Sequence, residues 1–380
     1  MKICIRQQQY SKRSRNRPPI FCKNLSDFQI RKETAAPDLF QGYLPGKKTD
    51  KIKKRTSTAR EEKNLNVIFG IDIGGNSIKF GLFDPDGDLL EKWQIPTDRS
   101  DSGAYIIQSA GLSVRAKCEE RGIDSRGILG IGVGVPGTAR PDGHVIRCVN
   151  LGWTEERNAA GEMSLLTGAP VKVANDANLA ALGEQFRGAA RGADDVLMLT
   201  LGTGIGGGVI SGGRLVTGAA FSAGEVGHIH VNDEEALRCN CGAAGCLEQY
   251  CTVDGFVRVA SRLLETFSAE SSLRERAKSG AGFTVRDVFD LAKDGDQIAD
   301  LAVTVGCGYL GRAAATCANI LNPEVIVIGG GIAAAGEIIL RKMRPDFEKY
   351  AFPDCRGARL VLGELGNDAG IIGAARLAMP

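Results

Sequence analysis

Apolar and polar positions beyond residue 66 predict a first series of alternating strands and helices. Residues 67–84 contain two apolar runs separated by Gly74 and Gly75, a pattern that favours a hairpin of two strands. Residues 128–137 consist of apolar residues, glycines and one proline, which is typical of a buried strand that ends in a tight loop. The other predicted elements of this series are a strand at 89–95, a helix at 103–120, a strand at 171–176 and a helix at 177–186.

The same order of elements begins again at residue 196. Residues 196–210 read as a strand, a glycine turn and a second strand, as residues 67–84 do. The elements predicted after this hairpin are a strand at 323–332, a helix from about residue 335, a strand at 358–365 and a closing helix at 369–378. This repetition predicts an internal duplication, in which two α/β lobes enclose a cleft.

Residues 1–64 differ from the rest of the chain in charge and in pattern. Residues 1–60 carry 16 Lys and Arg against 4 Asp and Glu, and the segment to residue 64 contains four prolines. We therefore predict a disordered, solvated leader at 1–64; a transit peptide, a nucleic-acid-binding arm and a wrongly assigned start codon are the alternatives. The remaining residues carry 31 basic against 41 acidic side chains, which argues against nucleic-acid binding by the folded body.

The composition limits the class of protein and its compartment. A chain of 380 residues with 43% apolar residues is long enough for two domains with buried cores. Eleven cysteines are an odd number and too few for a disulfide scaffold, so we expect a reducing, cytoplasmic compartment. The sequence has no apolar run of membrane-spanning length and no secretory signal, so no membrane partner is expected.

A polar segment at 225–248 contains a candidate metal site. Cys239, Cys241 and Cys246 are spaced C-x-C-x4-C, and two of the three histidines of the chain, His228 and His230, precede them. Three thiolates and one imidazole form the closed tetrahedral shell of a structural zinc site. Ordinary buried thiols are the alternative, but the charged residues between the cysteines argue against a core segment. The spacing alone leaves either histidine as the fourth ligand.

Three glycine turns that follow strands are candidate phosphate sites, at residues 72–77, 201–208 and 328–332. None of them fits the P-loop pattern or the Rossmann fingerprint. Glycine turns expose backbone N–H groups to phosphate oxygens, so three turns from two lobes suit a nucleoside triphosphate bound between the lobes. Asp72, at the first turn, is assigned to Mg²⁺, bound directly or through water, with a turn-capping role as the alternative.

Asn175 and Asp176 lie where a predicted strand ends and a helix begins. Asp176 could be the N-cap of that helix, and spacing alone favours this interpretation. In the other interpretation, Asp176 is a general base that accepts the proton of an attacking hydroxyl, and Asn175 binds the substrate.

The chain resembles the ROK family (repressor, open reading frame, kinase), and most closely the glucokinases among its sugar kinases. The glycine turns, the Asn175-Asp176 pair and the cysteine cluster are shared, and the shared stretches occur in the order of the family from Val67 to Ala375. These stretches are D-I-G-G-N-S-I-K (72–79), G-V-G-V-P-G (132–137), N-L-G-W (150–153), N-D-A-N-L-A-A-L-G-E (175–184), L-G-T-G-I-G-G-G-V-I (201–210), A-G-E-V-G-H (223–228), C-N-C-G-A-A-G-C-L-E (239–248) and G-N-D-A-G-I-I-G-A-A (366–375).

The resemblance implies a function and a set of site residues. It implies ATP-dependent phosphorylation of glucose, with Asp176 as the base for the sugar 6-hydroxyl and Mg²⁺ accompanying ATP. It makes His228 the fourth zinc ligand beside the three cysteines, with its other ring nitrogen facing the sugar. The residues that it assigns to the sugar are Gly137, Asn175, Asp176, Glu225, His228 and Glu248. The residues that it assigns to the nucleotide are Asp72, Gly74, Gly75, Asn76, Gly202, Thr203 and Gly204 on the phosphate side and Gly329, Gly330 and Gly331 on the adenosine side.

The resemblance also implies an architecture. The fold would be the actin-like (ribonuclease H-like) α/β fold with two duplicated lobes and a cleft between them. A small N-terminal lobe would span 65–176 and a large lobe 177–367, with the closing helix at 368–380 packed back on the small lobe. We expect a homodimer or a larger homo-oligomer. The first phosphate turn departs from the usual G-G-T-K of the family, because Asn76 and Ser77 follow the two glycines.

Two other functions are considered beside the glucokinase. A kinase for N-acetylmannosamine, mannose or fructose would share the same motifs. A sugar-responsive repressor would need an N-terminal helix-turn-helix, and residues 1–64 lack the periodic apolar residues of a three-helix core. The sequence therefore favours a kinase over a repressor.

Overall fold

The computed structural model describes residues 66–380. Residues 61–380 form one compact unit. The predicted leader at 1–64, with its transit-peptide and nucleic-acid alternatives, lies outside the described residues.

Residues 67–187 contain a first five-stranded sheet and the helices that accompany it. The elements of this segment in chain order are β1 (Val67–Ile73), β2 (Ser77–Phe83), β3 (Leu89–Pro96), α1 (Ile106–Arg121), β4 (Ile128–Val135), β5 (Thr138–Ala139), β6 (His144–Arg147), β7 (Arg157–Asn158), α2 (Ala159–Thr167), β8 (Val171–Asn175) and α3 (Asp176–Arg187). The strand order of the large sheet is β3-β2-β1-β4-β8, and β5, β6 and β7 form a separate small sheet. Strand β1 pairs antiparallel with β2 and parallel with β4, which in turn pairs parallel with β8.

A second five-stranded sheet, within residues 196–378, repeats the first. The elements of this segment in chain order are β9 (Val196–Leu201), β10 (Ile205–Ser211), β11 (Arg214–Leu215), α4 (Glu248–Cys251), α5 (Val253–Thr266), α6 (Ser272–Lys278), α7 (Val285–Lys293), α8 (Gln297–Leu321), β12 (Val325–Gly329), α9 (Ile338–Tyr350), β13 (Arg359–Leu362) and α10 (Ala369–Ala378). The strand order is β11-β10-β9-β12-β13, with β9 antiparallel to β10 and parallel to β12. The two sheets thus share order and strand direction, as expected for a duplicated fold.

The strand register brings the candidate site residues to one end of each sheet. Val135, the last residue of β4, pairs with Asn175, the last residue of β8. The loop after β4 and the start of α3 are therefore neighbours. In the second sheet, Gly329 pairs with Thr200, so the glycines after β12 lie beside the turn after β9.

The closing helix α10 packs against β1, β4 and α3, and glycines allow the close approach. A Cβ atom at Gly132 of β4 would lie 1.8 Å from the carbonyl oxygen of Ala374. A Cβ atom at Gly373 of α10 would lie 1.7 Å from the carbonyl oxygen of Leu179 in α3. Backbone therefore contacts backbone at both positions, which only glycine permits.

Helix α8 is the one helix in the described part of the chain with the length and hydropathy of a membrane span. Its most apolar window is 61% buried inside the protein. Fourteen of its residues, among them Leu310 and Cys307, lie in the interior. Burial on this scale is the environment of a core helix, which explains its apolar composition without a membrane.

Candidate active site

A cleft of about 490 Å³ is lined by residues of both lobes. Every residue that the sequence assigned to the sugar is among its lining residues: Gly137, Asn175, Asp176, Glu225, His228 and Glu248. Sequence reasoning missed several other lining residues: Thr138, Arg147, Val149, Asn150 and Thr200. Asp176, Glu225 and Glu248 make the cleft acidic, and Arg147 carries the one positive charge among the described residues that line it.

The N-cap of α3 is Asn175, which corrects the interpretation of Asp176 as the cap. The side-chain oxygen of Asn175 accepts hydrogen bonds from the backbone N–H of Ala177 (2.9 Å) and of Asn178 (3.1 Å). Its side-chain nitrogen donates to the carbonyl oxygen of Gly137 at 3.3 Å. Asn175 therefore provides an acceptor for free backbone N–H groups at the start of α3, and it ties this helix to the loop after β4. Asp176, the first residue of the helix, is left facing the cleft.

The environment of Asp176 favours its protonated form more than water does. Burial is the main cause, the charge of Asp72 adds to it, and Glu225 has a smaller effect in the same direction. Together they raise the pKa of Asp176 to about 6, although its Oδ1 accepts a 2.8 Å hydrogen bond from the Ala177 N–H. A carboxylate with a pKa near neutrality is well matched to general base catalysis.

Glu248 joins the cysteine segment to the second glycine turn. Its Oε2 accepts a hydrogen bond from the backbone N–H of Ile205 at 3.2 Å. A Cβ atom at Gly204 would lie 2.9 Å from the same oxygen, so the glycine leaves room for this carboxylate. Gly204 lines the acidic cleft, whereas the sequence had assigned it to the phosphates alone.

Four potential metal ligands converge at 228–246. The ligand atoms of His228, Cys239, Cys241 and Cys246 all lie within 4.8 Å of one another. The Nδ1 atom of His228 lies 3.7 Å from Cys239 Sγ, and Cys241 Sγ lies 3.7 Å from Cys246 Sγ. Three sulfurs and one imidazole nitrogen at this separation match the donor set of a tetrahedral zinc site.

His230 is held away from this cluster. Its Nδ1 lies 2.9 Å from the carbonyl oxygen of Ala244, and its Nε2 lies 2.8 Å from the carboxylate of Asp233. Both ring nitrogens therefore have partners outside the cysteines. The structure therefore distinguishes His228, which lies beside the cysteines, from His230, which does not. The spacing in the sequence could not make this distinction.

The first glycine turn lies next to the cleft. Asp72 faces Lys79 across the β1–β2 pair, with 3.7 Å between Oδ2 and Nζ. Burial raises the pKa of Asp72, and the Lys79 ammonium opposes this effect. A Cβ atom at Gly75 would lie 3.7 Å from the carbonyl oxygen of Asn150, which places the turn beside the acidic cleft. Asp72, Gly74, Gly75 and Asn76 line neither this cleft nor the pocket described next.

A second pocket, of about 520 Å³, is lined by the other two glycine turns. Gly202 and Gly331 form part of its wall, whereas Thr203, Gly329 and Gly330 are outside it. Gly330 has a φ of +82° and approaches the backbone of Leu201, which fixes the turn. The other residues of the wall are apolar or charged: Val253, Val285, Arg286, Phe289, Asp290, Lys293, Ile332, Ala334 and Ala335. Sequence reasoning missed all of them except Ile332, which belongs to the third glycine turn. Apolar side chains beside glycine turns suit a base and its phosphates.

Two matching sheets, an acidic cleft and an adjoining glycine-lined pocket define the actin-like, two-lobed α/β fold of sugar kinases. The sequence model of the ROK family matches residues 68–380, and the chain belongs to this family. The predictions of the fold class and of the family are thereby confirmed.

Curated relatives and a solved structure agree with this assignment. The chain is 39% identical over 306 residues to a glucokinase of Halalkalibacterium halodurans, which covers 80% of this chain and 92% of the relative. It is 33% identical to a glucokinase of Thermotoga maritima over 313 residues, which are 82% of this chain and 96% of the relative. A ROK glucokinase of Streptomyces griseus, solved in complex with glucose and AMPPNP, is 31% identical with a TM-score of 0.66, covering 82% of this chain and 98% of that structure.

Proposed function

We propose that this protein is an ATP-dependent hexokinase that phosphorylates glucose at its 6-hydroxyl. The observation that carries the proposal is the cleft in which Asp176, with its raised pKa, lies beside Glu225, His228 and Glu248. Carboxylates accept hydrogen bonds from sugar hydroxyls, and an imidazole that binds a metal through Nδ1 donates one from its Nε2–H to a sugar oxygen. A buried carboxylate can also deprotonate the attacking hydroxyl. The glucokinase relatives support glucose as the substrate.

Asp176 is proposed to be the general base of the reaction. As the 6-hydroxyl oxygen attacks the γ-phosphorus of ATP, the Asp176 carboxylate accepts the hydroxyl proton. The bond between the γ-phosphorus and the bridging oxygen breaks, and ADP leaves. Positioning and charge neutralisation account for most of the rate enhancement in phosphoryl transfer.

Asp72 and the glycine turns are proposed to hold the donor. Mg²⁺ bound with ATP supplies positive charge to the transferring phosphoryl group. Asp72 is a hard oxygen ligand suited to this ion, directly or through water. The turns at Gly74–Gly75 and Gly202–Gly204 would present backbone N–H groups to the phosphates, and Gly329–Gly331 would contact the adenosine.

Zinc is the ion proposed for the cluster of His228, Cys239, Cys241 and Cys246. The bound ion would fix the loop that carries Glu225 and Glu248. With His228 Nδ1 on the side of Cys239, its Nε2 remains for a sugar hydroxyl. The role of the ion is thus structural, and the chemistry belongs to Asp176.

We further propose lobe boundaries at 65–176 and 177–367, with 368–380 closing on the first lobe, and a cytoplasmic homodimer or larger oligomer. Sheet β3-β2-β1-β4-β8 and sheet β11-β10-β9-β12-β13 support these lobes.

A panel of sugars tests the proposed function. Glucose, mannose, fructose and N-acetylmannosamine are compared in a coupled assay for ADP, and the metal content is measured on the same sample. We expect the highest kcat/KM for glucose and one zinc ion per chain. A higher kcat/KM for another hexose would identify that hexose as the substrate in place of glucose. The absence of ADP release with every hexose would refute the proposal of a hexokinase.

A further inference from the structure

The loop at 225–248 contains a carboxylate that is neither a proposed metal ligand nor a sugar ligand. The side chain of Glu235 is only 1% exposed, whereas its neighbour Glu234 is exposed. Glu235 Oε1 and Oε2 accept two hydrogen bonds from the guanidinium of Arg262, at 3.0 Å and 2.9 Å. This bidentate geometry is the strongest form of a carboxylate–guanidinium pair.

The remaining lone pairs of Glu235 are also used. Oε1 accepts from the backbone N–H of Leu237 at 3.0 Å, and Oε2 accepts from the hydroxyl of Tyr250 at 2.9 Å. The hydrogen bonds of Arg262 contribute most to lowering the pKa of Glu235 to about 2. Glu235 is therefore charged at every pH at which the protein would work. Removing Arg262 would leave this buried carboxylate with only one cation, Arg258, whose Nη2 lies 3.9 Å from Oε2.

The pair is connected to the sugar cleft through three consecutive residues of α4. Glu248 faces the cleft. Gln249 accepts from the N–H of Cys246 at 3.0 Å and donates to the carbonyl oxygen of Leu237 at 2.9 Å. Tyr250 is 3% exposed and bonds both to Glu235 and, at 2.9 Å, to the side chain of Asn232. The two residues that follow Glu248 on α4 thus tie this helix to the loop and to Glu235.

We propose that the ion pair between buried Glu235 and half-exposed Arg262 positions Glu248 for the sugar as an anchor in addition to the metal ion. The loop then has two anchors. The metal ligands join the arm that carries Glu225 and His228 to the arm that carries Glu248, and the ion pair ties the Glu248 arm to helix α5. The role of Glu248 as a sugar ligand rests on the proposed function.

Hydrogen exchange on chelated, metal-free protein tests the anchor without any sugar. In the wild type, amides of 249–251 are expected to stay protected, while those of 226–230 become exchangeable. Glu235→Gln keeps the shape of the side chain but removes its charge, and should speed exchange at 249–251 at least tenfold. Glu234→Gln, the exposed neighbour, should behave as the wild type. Equal exchange in the wild type and Glu235→Gln would overturn the proposal.

Steady-state kinetics of the metal-loaded protein test the positioning role. Glu235→Gln should raise the KM for glucose about tenfold and leave kcat and the KM for ATP within about twofold. Tyr250→Phe, which removes only one hydroxyl, should show the same selectivity with a smaller change, so the test stands even if Glu235→Gln folds poorly. If Glu235→Gln lowers the melting temperature but leaves the KM for glucose unchanged, the pair of Glu235 and Arg262 only stabilises the fold. If the wild type phosphorylates no hexose, the proposed function fails, and the exchange measurement still decides whether the pair anchors α4.

Discussion

Asn175 and Asp176 are adjacent in sequence and have different tasks in the structure. The Asn175 side chain caps α3 and binds the carbonyl oxygen of Gly137, so its hydrogen bonds are local. Asp176 begins the helix with its carboxylate in the cleft, where burial and the charge of Asp72 raise its pKa to about 6. Because the asparagine satisfies the helix terminus, the aspartate is available for proton transfer.

Replacing Asp176 with asparagine tests its role as the base. Asp176→Asn is nearly isosteric but cannot accept the hydroxyl proton, so kcat should fall about 10³-fold. Glucose binding, measured by calorimetry, should persist. Asp86→Asn, at an exposed turn, is the matched control and should keep the wild-type rate. A rate within tenfold of the wild type in Asp176→Asn would show that another group is the base.

The raised pKa of Asp176 predicts a pH dependence. The base works only when it is deprotonated, so kcat/KM should fall about tenfold per pH unit below about 6, instead of below about 4 as for an ordinary aspartate. Glu225→Gln removes a negative charge that raises this pKa, so its acid limb should shift to lower pH even though its maximum is reduced. Profiles of kcat/KM against pH for the two proteins provide the measurement, and a wild-type acid limb near 4 would contradict the prediction.

At the scale of the element, the loop at 225–248 has little regular structure and depends on its anchors. Its backbone forms only a short 3₁₀ turn at Val226–His228 and isolated bridges such as His230 with Cys246. A segment without a helix or strand needs side-chain bonds or a metal to stay ordered. The converging cysteines and the buried Glu235 add to backbone hydrogen bonds such as that from the Leu247 N–H to the Ile229 carbonyl oxygen.

Loss of the metal should weaken sugar binding. Cys241→Ser removes one sulfur of the proposed shell, so the zinc content should fall below one ion per chain and the Kd for glucose should rise at least tenfold. Cys317→Ala, in α8 and away from the loop, is the control for a lost thiol. Metal analysis and calorimetry on the same preparations decide the matter, and an unchanged Kd in zinc-free protein would count against the role of the ion.

The packing of α10 makes a prediction about stability. Gly132→Ala would place a methyl group 1.8 Å from the Ala374 carbonyl oxygen, so backbone must move and the free energy of unfolding should fall by about 2–3 kcal/mol or more. Gly357→Ala has open space around it, and its backbone is not in the left-handed region. It should therefore be neutral or slightly stabilising. Urea denaturation of both variants tests this, and equal midpoints would contradict the packing argument.

At the scale of the whole molecule, duplication explains why the site lies where it does. Each sheet ends in a hairpin glycine turn beside the carboxyl ends of parallel strands. Two such ends meet at the cleft, so one lobe contributes Asn175 and Asp176 while the other contributes Glu225 and Glu248. Neither lobe alone holds both the base and the acidic sugar ligands.

The family match and the compact unit predict that residues 1–64 are dispensable for catalysis. The ROK match begins at residue 68, and residues 61–380 form a unit with its own cores. A protein consisting of residues 65–380 should therefore keep kcat/KM for glucose within about twofold of the full chain. The two purified proteins are compared in the coupled assay. A kcat/KM more than tenfold lower for residues 65–380 would show that residues 1–64 contribute to catalysis.

The sequence by itself determined the periodic elements and the family. Strong apolar runs and glycine turns identified the hairpins and the strands of both sheets except β11, and α10 matches its predicted bounds. The sequence analysis did not indicate α2, the helices between Val253 and Leu321 or the small sheet of β5 to β7, although the capping box of Thr284 and Asp287 is a readable signal for α7. Motifs with fixed spacing, such as the three cysteines, could be recognised because their chemistry is local.

Tertiary structure alone decided the questions that depend on distance. It selected His228 over His230, because Asp233 and Ala244 hold the second ring away from the cysteines. It identified Asn175 as the N-cap of α3. It also revealed that Arg262 pairs with Glu235, 27 residues earlier in the sequence. Burial, charge proximity and hydrogen-bond partners arise only when remote segments meet, and a linear pattern carries no record of those distances.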